Sequence, residues 1–532
     1  MKRLLVISLS CIAALSAAAA ANVAEQKRHF LYSEVEPLSF QMQQEFAGLQ
    51  YIMSEEEQRA FLEAPDRAAR KELIRRFWIS ADPEPTLPGN PRRVEHYERM
   101  RWAIDEFPIK KWPGWDTRGE IMVRYGPPDY TGHVQGEVAA GRFRPPAELW
   151  YFKPHNMLIA FEDFEGKGNY KFALSSRGPY KYVNPKLIEF LLWDENPAYG
   201  GNIPADLIDP EYMLPEATRV TPETRQFMEK GRDMTGNTQE VFEEYEATYP
   251  FNFEEERRFP FFFDVSRFKG GEVDNRIDVN CQFIVEPPGN EEEERAMPDL
   301  LQVTATAVIY DENFNELETA YHDIKVDART AILSRLIPVQ VTGTIGQGNH
   351  HVAISLLEEN TGQYQAFWTE VEHLAFADTL AVSDILFASR IEDVTGNSPF
   401  NRGTVEVIPH PVRRYTRGSS LPVYFEVYNL ALDDIGRTQY EIEYRIVPRR
   451  GKKESFWDRF HGAPTVVASS FNAEGLTPDE RIHFTVHTEN LEEGLYDFLV
   501  SIKDTWSQSL AWREASFRIQ QGAITFDEFK KD

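Results

Sequence analysis

From Phe259 onward the apolar residues of this chain recur almost wholly at every second position, and that period directs this half of the molecule to sheet. The spacing predicts strands over 261–265, 277–285, 302–310, 336–341 and 351–357. Pro338 lacks a backbone donor, so the fourth of these is expected at a sheet edge. Asp311-Glu312-Asn313-Phe314-Asn315 resembles a calcium loop, but it lacks Gly at position 6 and an acid at position 12, and it reads as a hairpin turn. A second β region begins near Gly403, with clean alternation over 423–428 and 440–446. The stretch GNHHVAISL from Gly348 echoes GLYDFLVSI from Gly494, each a turn glycine feeding a strand, 146 residues apart. This spacing suits one sandwich per copy. The expectation is two antiparallel immunoglobulin-like β-sandwiches, 259–378 and 379–522, with a tail over 523–532.

Upstream the period is helical. Ser54-Glu55-Glu56-Glu57 has capping-box spacing, and Leu62, Leu73, Ile74, Phe77 and Trp78 continue near one stripe. Asp82-Pro83-Glu84-Pro85 stops that helical stretch, and a second helix is predicted over 91–107. Short strands are then predicted over 120–125, 148–153, 156–162 and 170–175, with Gly126-Pro127-Pro128-Asp129 as a turn. Residues 22–180 therefore read as an α+β domain. Residues 181–258 read as a helical connector, with Leu187, Ile188, Leu191 and Leu192 at helical spacing and Thr221-Pro222 as a helix start. The acidic run 253–256 reads as a solvated hinge.

The first 21 residues read as a secretory signal peptide. Lys2 and Arg3 precede an apolar run over 4–15, which is too short for the roughly 20 residues of a membrane helix. Small residues over 17–21 place cleavage near Ala21. Cys11 raises a lipoprotein alternative, but Ser8 stands where that motif prefers Leu. The expected location is periplasmic or secreted, with no transmembrane segment in the mature chain. A formal charge of −28 repels phosphates and argues against nucleic acid and anionic lipid. Cys281, left alone by cleavage, falls on the apolar side of an alternating strand and reads as a small core residue.

Residues 50–180 resemble the GWxTD domain family of bacterial exported proteins. The resemblance rests on Phe77-Trp78, Asp82-Pro83, His96-Tyr97 and Arg99. It continues through Gly114-Trp115-Asp116-Thr117-Arg118-Gly119-Glu120, Tyr125-Gly126-Pro127-Pro128-Asp129, Glu148-Leu149-Trp150-Tyr151 and Phe161. The C-terminal strand VYFEVYN also looks like the tail of such proteins. The family pattern reads Gly-Trp-any-Thr-Asp-Arg-Gly; here it is one residue shorter, so the naming Asp is missing or replaced by Asp116. The resemblance implies architecture and export. The family carries no established reaction.

Candidate chemistry gathers in that motif. Trp115, Asp116, Arg118, Tyr125, Asp129, Glu148 and Trp150 combine charge with aromatic surface and a proline-stiffened turn, which suits capture of a peptide or glycan. The same Arg–carboxylate pairs can equally hold a small sheet on its helices. No metal or cofactor motif occurs: His483 and His487 share a strand face but lie roughly 13 Å apart. H-E-x-x-H, G-x-S-x-G, P-loop and G-x-G-x-x-G patterns are absent. The expected function is an envelope or secreted interaction protein whose partners are proteins or glycans. The alternative is an extracytoplasmic hydrolase using carboxylates of the GWxTD-like domain.

Overall fold

The computed structural model describes residues 33–139, 142–153, 157–172, 203, 258–271, 273–285, 290, 298–334, 336–376, 378–449, 455–463 and 465–522. The expected signal peptide, nearly all of the helical connector and the tail lie outside these. The chain divides into two units, Met1–Asp82 with Asn90–Phe251, and Pro83–Gly89 with Asn252–Asp532. Among the described residues, no helix is long and apolar enough to cross a membrane.

In the first unit, α1 (Phe40–Leu49), α2 (Glu55–Glu63), α3 (Arg67–Ser80), α4 (Pro91–Glu106) and α5 (Thr117–Tyr125) precede the sheet. Ser54 caps α2 as its spacing predicts: its Oγ accepts from Glu57 N at 3.2 Å, and Glu57 Oε2 accepts from Ser54 N at 2.7 Å. The helical stretch to Trp78 is two helices. Pro65 cannot donate into a continuous helix, and Asp66 restarts the chain by accepting from Ala69 N at 2.8 Å. Pro91 opens α4 behind the Asn90 cap, whose Oδ1 accepts from Arg93 N at 2.8 Å.

The strand expected over 120–125 is instead the helix α5. Ile121, Met122 and Tyr125 fall on one helical stripe and bury against Trp150, Phe152, Ile159 and Phe161. A short apolar run fits either period, and here the Asp116 cap decides. Gly126, at φ +78°, ends the helix and leads into the predicted turn. The sheet follows with β1 (Tyr130–Val134), β4 (Ala147–Phe152), β5 (Met157–Glu162) and β6 (Lys171–Phe172) in that order, all antiparallel. A small hairpin, β2 (Glu137–Ala139) with β3 (Arg142–Arg144), interrupts it. Of the strand expected over 170–175, β6 is the described part.

His96 lies buried on α4, its ring 5.2 Å from that of Trp78. Burial, then the charges of Arg99 and Arg92, lower its pKa from 6.5 to about 3. The folded pKa lies below the unfolded one, so the unfolded chain takes up the proton first. The stabilisation is complete above pH 6.5 and is lost as pH falls toward 3. Between pH 7 and pH 5 this site is expected to cost the first unit about 2 kcal/mol. Urea titrations at the two pH values check this, and His96→Phe should flatten that part of the dependence.

The second unit is two β-sandwiches. The first stacks β10 (Glu316–Asp327), β9 (Leu300–Asp311), β12 (Asn349–Glu358) and β13 (Gln363–Glu372), in that order, on a sheet ordered β11 (Ile337–Ile345), β8 (Asn275–Phe283), β7 (Phe261–Lys269). A short helix, α6 (Ala328–Ser334), links β10 to β11. Pro338 sits on the edge strand β11, as its missing donor predicts. Alternate residues from both sheets form the core: Ile277, Val279, Cys281 and Phe283 face Val303, Ala305, Ala307 and Ile309. Burial pushes the Cys281 thiol far above its ordinary range and makes it inert packing. Asp311 organises the predicted hairpin, its Oδ1 accepting from Asn313 N at 2.8 Å and Asn315 N at 2.9 Å. Thr86, on the segment that belongs to this unit, shares hydrogen bonds with Ser355 Oγ at 2.6 Å and Tyr364 OH at 3.0 Å.

The second sandwich holds β14 (Ala381–Val382), β15 (Leu386–Asp393), β16 (Asn401–Arg402), β17 (Val405–Pro409), β18 (Arg414–Thr416), β19 (Ser420–Tyr428), β20 (Thr438–Pro448), β21 (Val467–Gly475), β22 (Glu480–His487), β23 (Gly494–Asp504) and β24 (Leu510–Gln520). One sheet runs β14-β19-β15-β17-β16 with β22 also on β19; the other runs β18-β24-β23-β20-β21. Leu421, Val423, Phe425 and Val427 of β19 pack on Phe498, Val500 and Ile502 of β23. The helix α7 (Phe456–Gly462) covers the outer face at Val447 and Leu499. Both echoed glycines precede or open a strand with positive φ, Gly348 before β12 and Gly494 at the start of β23. His483 and His487 are exposed on β22 while Val486 is buried.

Candidate functional site: the Arg118 hub

The loop between α4 and α5 folds back on itself before delivering Asp116. Ile109 N donates to Gly114 O at 3.0 Å and Asp116 N donates to Phe107 O at 2.9 Å. Gly114 has φ +106°, which favours glycine. Asp116 then caps α5 through Oδ1, accepting from Arg118 N at 2.9 Å. Its Oδ2 accepts from Arg118 Nη2 at 2.8 Å, Arg118 Nε at 3.1 Å and Tyr170 N at 3.0 Å.

Arg118 is the centre of the arrangement. Nη1 donates to Glu148 Oε1 at 2.7 Å and Nη2 to Gly168 O at 3.3 Å. Its guanidinium lies 3.8 Å from the Tyr170 ring centre and 4.6 Å from that of Phe107. Glu148 Oε2 accepts from Trp150 Nε1 at 3.3 Å. The Asp116 side chain is 0% exposed and that of Glu148 is 13% exposed. Asp163 shapes the loop that supplies Gly168, its Oδ2 accepting from Gly168 N at 2.6 Å. Burial, then the Glu148 charge, hold the Tyr170 phenol above its ordinary range. The exposed His133 places Nδ1 3.8 Å from Glu148 Oε1.

Four of the seven expected residues therefore meet: Asp116, Arg118, Glu148 and Trp150. Trp115 faces the other way, buried with Ala47, Met100, Ala103 and Val123. Its Nε1 has no hydrogen-bond partner among the described residues. Tyr125 belongs to the layer between α5 and the sheet. Asp129 is an exposed turn residue whose Oδ2 accepts from Lys153 N at 2.7 Å. Burial, then the Asp129 charge, push the nearby Tyr151 phenol up to about 12. Phe107, Asp163, Gly168 and Tyr170 complete the hub and were not read from the sequence.

Chemically the hub is internally paired. Each oxygen of Asp116 and Glu148 accepts from a donor within the unit, and the Arg118 fork is divided between them. Such an arrangement orients loops and aromatic rings. Among the described residues, no group of three or more His, Cys, Asp or Glu side chains is placed to hold a metal.

Gly119 is required beneath this hub. A Cβ there would lie 2.5 Å from Trp115 Cβ. In an open helix, Gly→Ala gains about 1 kcal/mol. Gly119→Ala is instead expected to destabilise by about 1–3 kcal/mol through overpacking, read as a lower urea midpoint.

No family model matches this chain, and no curated protein matches it. Among solved structures, a Bacteroides uniformis β-glucuronidase aligns at 8% identity and TM-score 0.18. A second, β-glucuronidase 2 of the same organism covalently bound to cyclophellitol-6-carboxylate aziridine, aligns at 11% identity and TM-score 0.16. Each alignment covers 45% of this chain and 26% of the other, so the chain spans about a quarter of the length of the structures it matches. Alignments at these TM-scores carry no argument about activity.

Proposed function

We propose that this chain is an exported interaction protein of the bacterial envelope or its surroundings, a member of the GWxTD family that binds protein or glycan partners. In this reading the signal peptide directs it to the periplasm or beyond. The GWxTD-like unit presents a rigid surface, and two immunoglobulin-like sandwiches act as spacers or docking modules. The observation that supports binding over hydrolysis is the pairing of Asp116 and Glu148 with Arg118, Tyr170 N and Trp150, which encloses Asp116. A hydrolytic pair needs both carboxylates to reach a substrate, and the Asp116 side chain is fully enclosed. Half-exposed Trp506 and Trp512, at 50% and 42%, offer the amphipathic aromatic surface that interfaces favour.

The test is affinity capture from the native envelope fraction, with the mature chain and a parallel bait lacking residues 22–180. Any captured component is then purified and recombined with the chain. The expected result is a partner that binds directly and is lost with the truncated bait. Capture of nothing by either bait overturns the reading. Changed turnover of an envelope substrate by Glu148→Gln, with the fold intact, would favour the hydrolase instead.

A further inference from the structure

The first sandwich is open along one side. There β7 is the edge of its three-stranded sheet and β13 is the edge of the opposing sheet. Phe263, Val265 and Arg267 of β7 stand across from Thr369, Glu370 and Val371 of β13, and a cleft of about 240 Å³ lies between them. Phe263 and Val265 pair with Cys281 and Val279, so their side chains point into the core. Yet they are only partly buried, while their β8 partners are fully buried. The core is thus exposed where a further strand would lie.

The backbone of β7 points the same way. Arg267 N donates to Asp384 Oδ2 at 2.9 Å, Asp384 N donates to Arg267 O at 3.1 Å, and Lys269 N donates to Tyr428 OH at 3.0 Å. These contacts lie on the side away from β8, so the odd-numbered residues of β7 turn their N–H and C=O groups outward. The second sandwich occupies those positions at Arg267 and Lys269. At Phe263 and Val265, the same outward groups meet no partner among the described residues. The cleft has defined ends. An isolated parallel bridge joins Arg258 to Tyr364 at one end, and Arg267 Nη1 donates to Glu372 O at 2.8 Å at the other.

The geometry points to strand addition: β7 takes an extended segment of a partner protein as the fourth strand of its sheet. Main-chain hydrogen bonds to Phe263 and Val265 supply the docking, and alternate apolar side chains of the guest fill the cleft against Phe263, Val265 and Val371. The formal charge of −28 favours a guest carrying Lys or Arg beside its apolar positions. This inference rests on the reading of an interaction protein but sits in a different part of the chain.

The probe is a nonapeptide of alternating threonine and valine with a lysine at each end, titrated against the full chain by fluorescence anisotropy and amide hydrogen exchange. Saturating peptide is expected to slow exchange at Phe263 and Val265 by at least tenfold. Val265→Pro removes an outward donor without touching the β8 ladder, and should weaken binding at least tenfold. The same peptide N-methylated at alternate residues lacks main-chain donors and should bind at least tenfold more weakly; it carries the test if the proline variant does not fold. Absence of protection at Phe263 and Val265, or binding unchanged both in Val265→Pro and on N-methylation of the peptide, overturns the proposal. So does self-association through β7, which would make a second copy the occupant. If envelope capture fails while the peptide protects β7, only the broader reading falls. If capture succeeds unchanged with Val265→Pro, only the strand site falls.

Discussion

Replacing Arg118 with alanine is expected to destabilise the N-terminal unit by about 3–5 kcal/mol, the loss that follows when one member of a buried ionic network is removed. Asp116 is fully enclosed and would keep only the Tyr170 and residue 118 backbone donors. Glu148 would keep Trp150 Nε1 and the exposed His133. The ring contacts to Phe107 and Tyr170 go as well. An exposed pair would cost at most about 1 kcal/mol, so the size of the loss reports the burial. Arg118→Lys keeps the charge but not the fork that divides it between two carboxylates, and should fall between wild type and alanine. Urea unfolding followed by tryptophan fluorescence makes the measurement. A loss below about 1 kcal/mol would mean that the hub is solvated rather than structural. In the triple variant Arg118→Met, Asp116→Asn, Glu148→Gln the cost should be well below the sum of the single losses, because the three groups act as one network.

How far the sequence disclosed this arrangement can be judged residue by residue. Period two placed β8, β9, β12, β19 and β20, because one face of each strand is apolar without interruption. It also set Cys281 inside and Pro338 at an edge. The strand β10 was passed over: Ala320, Ile324 and Val326 pack on the core, but Glu318 and His322 break the inward row. The α5 segment failed for a different reason. Nine residues are too few for periodicity to separate a helix from a strand, and the deciding contact, Asp116 to the Arg118 amide, is a cap. The seven candidates were drawn together because they are near in sequence. Within one helical turn, however, Trp115 and Arg118 enter different layers, and Tyr170 reaches Arg118 from the return of the sheet, 52 residues on. Such long-range closure has no local signature.

The even-numbered residues of β8 make a second point. Asp278, Asn280 and Gln282 are the polar side of this alternating strand, yet all are buried, because the second sandwich covers that face of the sheet. Gln282 Nε2 donates to Pro409 O at 3.0 Å, and Arg402 Nη2 donates to Asp278 Oδ2 at 2.6 Å and to Gln340 Oε1 at 3.1 Å. Thr342 Oγ1 donates to the other Asp278 oxygen at 3.1 Å, and Arg276 approaches it at 3.4 Å. Asp278→Ala would leave the buried Arg402 without its anion, and a loss of about 3–5 kcal/mol is expected for the second unit. Because this carboxylate lies on the seam, the loss should fall on the coupling between the sandwiches rather than on either core. One cooperative unfolding step should become two, and small-angle scattering should show a broader distribution of distances within the unit. The double variant Asp278→Leu, Arg402→Met distinguishes strength from direction. Apolar packing of similar volume is often neutral or stabilising in place of a buried pair, so stability should recover. If the scattering profile recovers with it, burial alone sets the angle between the sandwiches. If stability returns while the distances stay broad, the angle is fixed by the directional bonds of Asp278, and the polar face of β8 serves as the register of a jointed spacer.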